Sequence, residues 1–256
     1  MKTSRIILIL TVVAIFIMMF IAFFNVRSEI INAVSIYGKG DLITEKGNIE
    51  SKMFNVETFN GIANNIDANV HITKSDKQSV KIVSKPNITK NILLEVVDGI
   101  LIIKFDEEIR HKTPIDIDIS IPKLTSIAII GSGDINTTNV FDSCDVFSVN
   151  VIGSGDVEAK LSSKSTTYVN IIGSGDVVLI GNCPNQEIVI DGSGDVNNFD
   201  FNTDYSSAII NGSGTIKLTA NKTVKAVING SGDLYYKGSP IVEKIINGSG
   251  EIEKNN

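Results

Sequence analysis

Ile127-Ala128-Ile129-Ile130-Gly131-Ser132-Gly133-Asp134-Ile135 is the first of a series. Gly-Ser-Gly recurs with first glycines at Gly131, Gly153, Gly173, Gly192, Gly212, Gly230 and Gly248, so successive copies lie 22, 20, 19, 20, 18 and 18 residues apart. A period of about twenty, with a turn signal and short apolar alternations in each copy, specifies coils that stack because one alone cannot bury its apolar face. Counting back from each first glycine, positions two and four are Ile129 and Ile127, Val151 and Val149, Ile171 and Val169, Ile190 and Ile188, Ile210 and Ala208, Ile228 and Ala226, then Ile246 and Lys244. This period of two defines an inward-facing strand that only the last coil interrupts with a charge. Beyond the turn, Ile135, Val157, Val177, Val196, Ile216, Leu234 and Ile252 supply the next inward residue.

Each coil therefore turns a corner at Gly-Ser-Gly, where glycine allows positive φ and close stacking of backbones. The residue after the corner is Asp134, Asp156, Asp176, Asp195, Thr215, Asp233 and Glu251 in turn. One carboxylate per coil resembles a calcium-bearing repeat, yet calcium takes about six to eight oxygens and this column offers one acid per corner, interrupted by Thr215. The column reads as a solvated turn ladder in which Asp bonds nearby backbone N–H groups, with no metal or cofactor expected. One position before the first glycine, the outward residues are Ile130, Ile152 and Ile172, then Asp191, Asn211, Asn229 and Asn247. The second set is a polar ladder. The first is an apolar stripe that another part of the chain covers or that marks an interaction site. At the far end Lys244, Glu251, Glu253 and Lys254 read as charges guarding an open strand edge.

The 256 residues carry a net charge of −6, from 23 Lys and Arg against 29 Asp and Glu, and no Trp. Lysines scattered among carboxylates leave no basic patch, which argues against a nucleic-acid partner. Residues 1–5 form a basic tip ahead of the apolar run Ile6–Phe24, long enough for the roughly twenty residues that cross a bilayer. Residues 6–26 are read as an uncleaved transmembrane helix, with a long signal peptide, and hence a secreted product, as the alternative. Lys2 and Arg5 before the run place the N-terminus in the cytoplasm and the remainder outside the membrane, in the periplasm or at the cell surface. Residues 27–51 mix charge with glycine and are read as a tether, and 52–256 as the β domain: irregular strands over 52–125, regular coils over 126–252. In the irregular part, Asp98-Gly99 signals a tight turn between two apolar alternations.

Cys144 and Cys183 each precede a first glycine by nine residues, which puts them in one column two coils apart. At about 4.8 Å per coil they are roughly 9 to 10 Å apart. A disulfide needs Cα atoms within about 7 Å, so two unpaired thiols are expected. His71 and His111 are read as isolated, exposed strand or loop residues. Asp116 and Asp118 share an outward strand face as solubility charges. No nucleophile, base and orienter converge, so no catalytic residues are assigned and the chain is read as a non-enzyme. The sequons at Asn87 and Asn136 read as turn chemistry.

Phe54-Asn55-Val56-Glu57-Thr58-Phe59-Asn60-Gly61-Ile62, Glu95-Val96-Val97-Asp98-Gly99-Ile100-Leu101-Ile102-Ile103 and the serial Gly-Ser-Gly-Asp corners together resemble the putative auto-transporter adhesin, head GIN domain, family. The resemblance spans Phe54 to Ile252. It implies an all-β, right-handed parallel β-helix of 18–22 residues per coil, found in bacterial secreted or envelope proteins, and carries over no catalytic residues. The expected function is a membrane-anchored adhesion or envelope scaffold module binding a protein or polysaccharide surface. The alternatives are a self-associating envelope element, hence a homo-oligomer, and a polysaccharide-binding or polysaccharide-degrading β-helix.

Overall fold

The computed structural model describes residues 41–107 and 109–255. The transmembrane helix read at 6–26 lies outside them, and among the described residues no helix is long and apolar enough to cross a membrane. The chain divides into two compact units. Of the smaller, β1 (Asp41–Leu42) and β8 (Ile109–Arg110) are described, paired in parallel with Asp41 opposite Ile109. The larger, running from Ile43 to Glu107 and onward from His111, is an all-β solenoid whose seven Gly-Ser-Gly corners bound about six turns.

Its long strands are β12 (Phe141–Gly153), β13 (Val157–Gly173), β14 (Val177–Gly192), β15 (Val196–Gly212) and β16 (Thr215–Gly230). Every neighbouring pair is parallel, and the first glycines stay in register from Gly131 opposite Gly153 to Gly230 opposite Gly248. Ile129, Val151, Ile171, Ile190, Ile210 and Ile228 thus form one internal column, all 0% exposed. Each contributes about 1.5–3 kcal/mol by leaving water. Phe141, Phe147 and Phe201, which the repeat pattern did not place, are fully buried as well.

The corner explains its own composition. The first glycines hold φ between 123° and 152° from Gly131 to Gly248, where a side chain is strained. A Cβ on Gly153 would also sit 2.3 Å from the Gly131 carbonyl oxygen. That oxygen instead accepts the Ser154 N–H at 2.9 Å, a bond repeated from Ser174 to Gly153 and from Ser193 to Gly173.

The irregular region folds in an order that its sequence does not announce. β3 (Gly61–Asn64) lies between β7 (Ile100–Phe105) and β10 (Ser126–Gly131), parallel to both. Likewise β4 (Asn69–Lys74) lies between β9 (Asp116–Ile121) and β11 (Asp134–Thr137). The coil of residues 61–74 is therefore sandwiched, and the later coil of 100–121 stacks outside it. Antiparallel strands close that end: β6 (Ile92–Val97) on β7, and β5 (Ser79–Ser84) on β9, with β2 (Glu50–Phe54) on β5. Asp98 and Gly99 link β6 to β7 with φ of 51° and 75°, the primed geometry a two-residue hairpin demands.

At the opposite end β18 (Ile241–Gly248) pairs with β16, and β19 (Ile252–Lys254) with β17 (Asp233–Lys237). Lys244, Glu251, Glu253 and Lys254 are exposed there, and Ile246, inward by register, is 37% exposed because no further described coil covers it.

Candidate functional site: an outward sheet face

The strand leading into each corner buries alternate residues and turns the others outward. Ile130, Ile152 and Ile172 fall in register as one outward row. Ile130 is buried at 4% exposure, whereas Ile152 and Ile172 are half-buried. The covered state expected for this stripe thus holds at its first residue only. Where the row turns polar at Asp191, a second apolar row begins two residues earlier on the same face: Val189, Ile209, Val227 and Ile245, aligned coil on coil. The first three are half-buried and Ile245 is 50% exposed. Sequence reading missed this row. Its signal was available, three positions before each first glycine, at the same period as the stripe.

The polar ladder beside the second row is continuous. Asn211 Nδ2 donates to Asp191 Oδ1 at 2.6 Å, Asn229 to Asn211 at 2.7 Å and Asn247 to Asn229 at 2.9 Å. One face therefore carries two staggered apolar rows bordered by hydrogen-bonded amides. Such a face can bury apolar surface against a partner at many equivalent points, with the amides fixed in direction by their neighbours.

The corner aspartates form a ladder of bonds to backbone N–H groups. Each Oδ1 accepts the backbone N–H of the equivalent residue in the next coil: Asp134 from Asp156 at 3.0 Å, Asp156 from Asp176 and Asp176 from Asp195 at 2.9 Å, and Asp195 from Thr215 at 2.7 Å. Asp233 accepts from Glu251 at 2.9 Å. The carboxylates bond backbone N–H groups as expected, and those groups lie one coil along, so the acids tie coils together. Where Thr215 replaces the acid, the Asp233 N–H turns to the Gly214 carbonyl at 3.2 Å. Among the described residues no group of three or more His, Cys, Asp or Glu is placed to hold a metal ion.

Beside these corners lies an open hollow of about 420 Å³, lined by Asn69, His71, Asn136, Glu158, Val178 and three ladder aspartates. His71 Nδ1 meets Asn136 Oδ1 at 2.5 Å, one coil away. Asp116 accepts from Asn69 Nδ2 at 3.0 Å and Asp118 pairs with Lys81 at 2.7 Å. These acids have structural partners; Asp118 stands opposite His71 in the β4–β9 register, and neither acid lines the hollow.

His111 departs from its expected exposure. Its side chain is 4% exposed, because the ring packs edge-on to Phe105 with centroids 5.8 Å apart. Nδ1 meets the Thr113 carbonyl at 2.9 Å and Nε2 meets Asp67 Oδ1 at 2.7 Å. The bond to Asp67 raises its pKa above the ordinary histidine value, against the opposing effect of burial. Close by, Glu45 receives the Thr113 hydroxyl at 2.6 Å, the Lys112 N–H at 2.5 Å, the Lys85 ammonium at 2.9 Å and the Thr113 N–H at 2.9 Å. Those donors, the Thr113 hydroxyl first, hold its carboxyl well below the usual carboxylate range. The end of the stretch read as a tether is thus engaged, and Asn87, one of the sequon residues, reinforces it by donating to Thr44 O at 3.0 Å and accepting the Lys46 N–H at 2.9 Å.

Cys144 and Cys183 are free and buried. Ser163 pairs with Cys144 while Ser162 pairs with Asn182, so a serine layer lies between the two thiols. Burial pushes both pKa values up, which keeps the thiols protonated and unreactive.

Fold and face together define a repeat-built β-solenoid whose outward residues, free of the packing that fixes the interior, present one long patterned surface. The chain belongs to the putative auto-transporter adhesin, head GIN domain, family, whose profile matches residues 58–240. Solved structures that share the fold include three from Bacteroides and Parabacteroides. A putative adhesin from Bacteroides fragilis NCTC 9343 is 24% identical with a TM-score of 0.76, over 83% of this chain and 100% of that one. A putative lipid binding protein from Parabacteroides distasonis ATCC 8503 is 23% identical with a TM-score of 0.69, over 84% and 99%. A putative adhesin from Parabacteroides merdae ATCC 43184 is 19% identical with a TM-score of 0.71, over 85% and 100%. No curated protein matches the chain.

Proposed function

We propose that the chain is a non-enzymatic adhesion or scaffold module of the bacterial envelope, binding through the outward face that carries the two staggered apolar rows. The observation that carries this reading is the continuity of that face: Ile152 and Ile172, then Val189, Ile209 and Val227, remain half-buried with the Asn ladder beside them. Binding is distributed over coils, and a protein or polysaccharide surface is the partner such a face suits. Family membership supports an extracytoplasmic location. In this reading the apolar run Ile6–Phe24 anchors the chain with its N-terminus in the cytoplasm. The solenoid coils with a right hand, the hand the family resemblance implies.

The test expresses the full chain in bacterial cells and compares their retention on mucin, peptidoglycan and phosphatidylglycerol-coated surfaces with that of cells lacking it. The lipid surface is included because one structural relative is described as lipid binding. Selective retention on one surface, with the domain cleavable by protease added outside the cytoplasmic membrane, is expected. Equal retention with and without the chain, or a protected domain, would overturn the reading. Oligomers with no retention would favour the self-associating element instead, with Ile245 at 50% exposure as a contact.

A further inference from the structure

We propose that His111 is held as an imidazolium and that its second proton locks a loop whose N–H groups clasp Glu45, making residues 43–49 a strap that loosens as pH rises. The assignment rests on hydrogen-bond chemistry. The Thr113 carbonyl facing Nδ1 at 2.9 Å can only accept, and the ionised Asp67 carboxylate facing Nε2 at 2.7 Å can only accept. Both ring nitrogens must donate, so the ring carries both protons. Neutral imidazole would set a lone pair against one of these oxygens, with the ring itself 4% exposed although the Asp67 side chain is 50% exposed.

What the proton holds is the path of residues 111–113. With the ring tied to Asp67 on one side, the next two residues turn their N–H groups to Glu45 on the other. Glu45 is also bound by Lys85, just ahead of the helical turn Pro86–Thr89, and its neighbours Thr44 and Lys46 by Asn87 within that turn. The charged groups acting on the ring are Asp67, from the bend between β3 and β4, and Glu45; Phe105 of β7 supplies an apolar neighbour. Both acids favour the charged ring. The strap leads directly into β2, which pairs antiparallel with β5, so its release frees the segment just ahead of that strand.

The sign follows from linkage. A histidine with a raised folded pKa contributes fully below its ordinary value of 6.5 and loses that contribution as pH climbs through the raised one. Glu45, with its pKa depressed, keeps its contribution above the ordinary 4.5 and loses it only in strong acid. The strap is thus tightest between those two values and yields on the alkaline side.

Hydrogen exchange of peptides covering 43–49 in the full chain, in detergent and corrected for the intrinsic pH dependence, tests this. Protection should fall about tenfold as pH rises through the His111 titration, the scale of one charge-assisted bond. His111→Gln should leave the strap at the unprotected level throughout, and Asp67→Asn should shift the midpoint downward, with exchange in β15 and β16 unchanged in both. Nitrogen-15 spectra of the imidazoles, assigned with His71→Gln, should show two protonated nitrogens for His111 at pH 6.5 and above. Flat protection across the titration, or a His111 ring neutral below pH 6.5, would overturn the proposal. If His111→Gln does not fold, the Asp67→Asn midpoint and the wild-type spectra still decide it.

Discussion

From Gly131 to Gly250 each coil is dictated by the one beside it, whereas from Glu50 to Ile121 parallel strands stack out of chain order and antiparallel strands close the end. In the first region the same problem is solved coil after coil: glycine at all seven corners, mostly isoleucine or valine within, and aspartate reaching one coil along at five of them. In the second each contact is made once, by a hairpin at Asp98-Gly99, a helical turn and a buried histidine. Regular coils tolerate variation wherever a side chain faces out, and that freedom is what a binding face requires. The cap has no such freedom, because its parts close the stack and fix where the chain enters.

The sharpest way to break the comparison is at a corner. Gly173→Ala places a Cβ 2.3 Å from the Gly153 carbonyl at a φ of 127°, and should cost about 4 kcal/mol or more, or prevent folding, in a denaturant titration. Alanine at Gly99, where the nearest atom to a Cβ is 3.6 Å away, meets only backbone strain, so its cost should be distinctly smaller. In the interior, Ile171→Ala removes a fully buried side chain between two neighbours and should cost about 2–5 kcal/mol. Asp176→Ala strands the Asp195 N–H and should cost about 1 kcal/mol, while Asp176→Asn, which keeps an acceptor, should be nearly silent. If Asn is as damaging as Ala, the ladder works through the carboxylate charge. Alkaline pH should act on the cap alone: thermal stability declines as pH passes the raised His111 value, and Asp67→Asn moves that decline to lower pH.

The regular coils were legible because their partners repeat. Ile171 meets Val151 and Ile190 at the same depth, so a period of two inside a period near twenty fixes both face and register. Stacking order in the cap was not legible, since nothing in Gly61–Asn64 marks that β7, later in the chain, will lie on one side and β10 on the other. His111 looked isolated because Asp67 and Thr113 come together only after the outer coil has closed. The aspartates were recognised as bonding nearby backbone N–H groups, but which ones was not legible, because one turn read alone hides the neighbour one coil away. Of the outward face, the first apolar row was visible and its continuation through Val189, Ile209 and Val227 was overlooked once the neighbouring row turned to Asn.

The most direct test of the face replaces Ile152, Ile172, Ile209 and Val227 with Asn in the full chain. Retention of the expressing cells on the surface the wild type prefers is then measured beside the melting temperature of the purified protein. All four are outward and half-buried, so each change should cost on the order of 1 kcal/mol, and the melting temperature separates that cost from loss of the face. The account predicts a folded solenoid that no longer holds its surface; a folded variant retained as firmly as the wild type would contradict it.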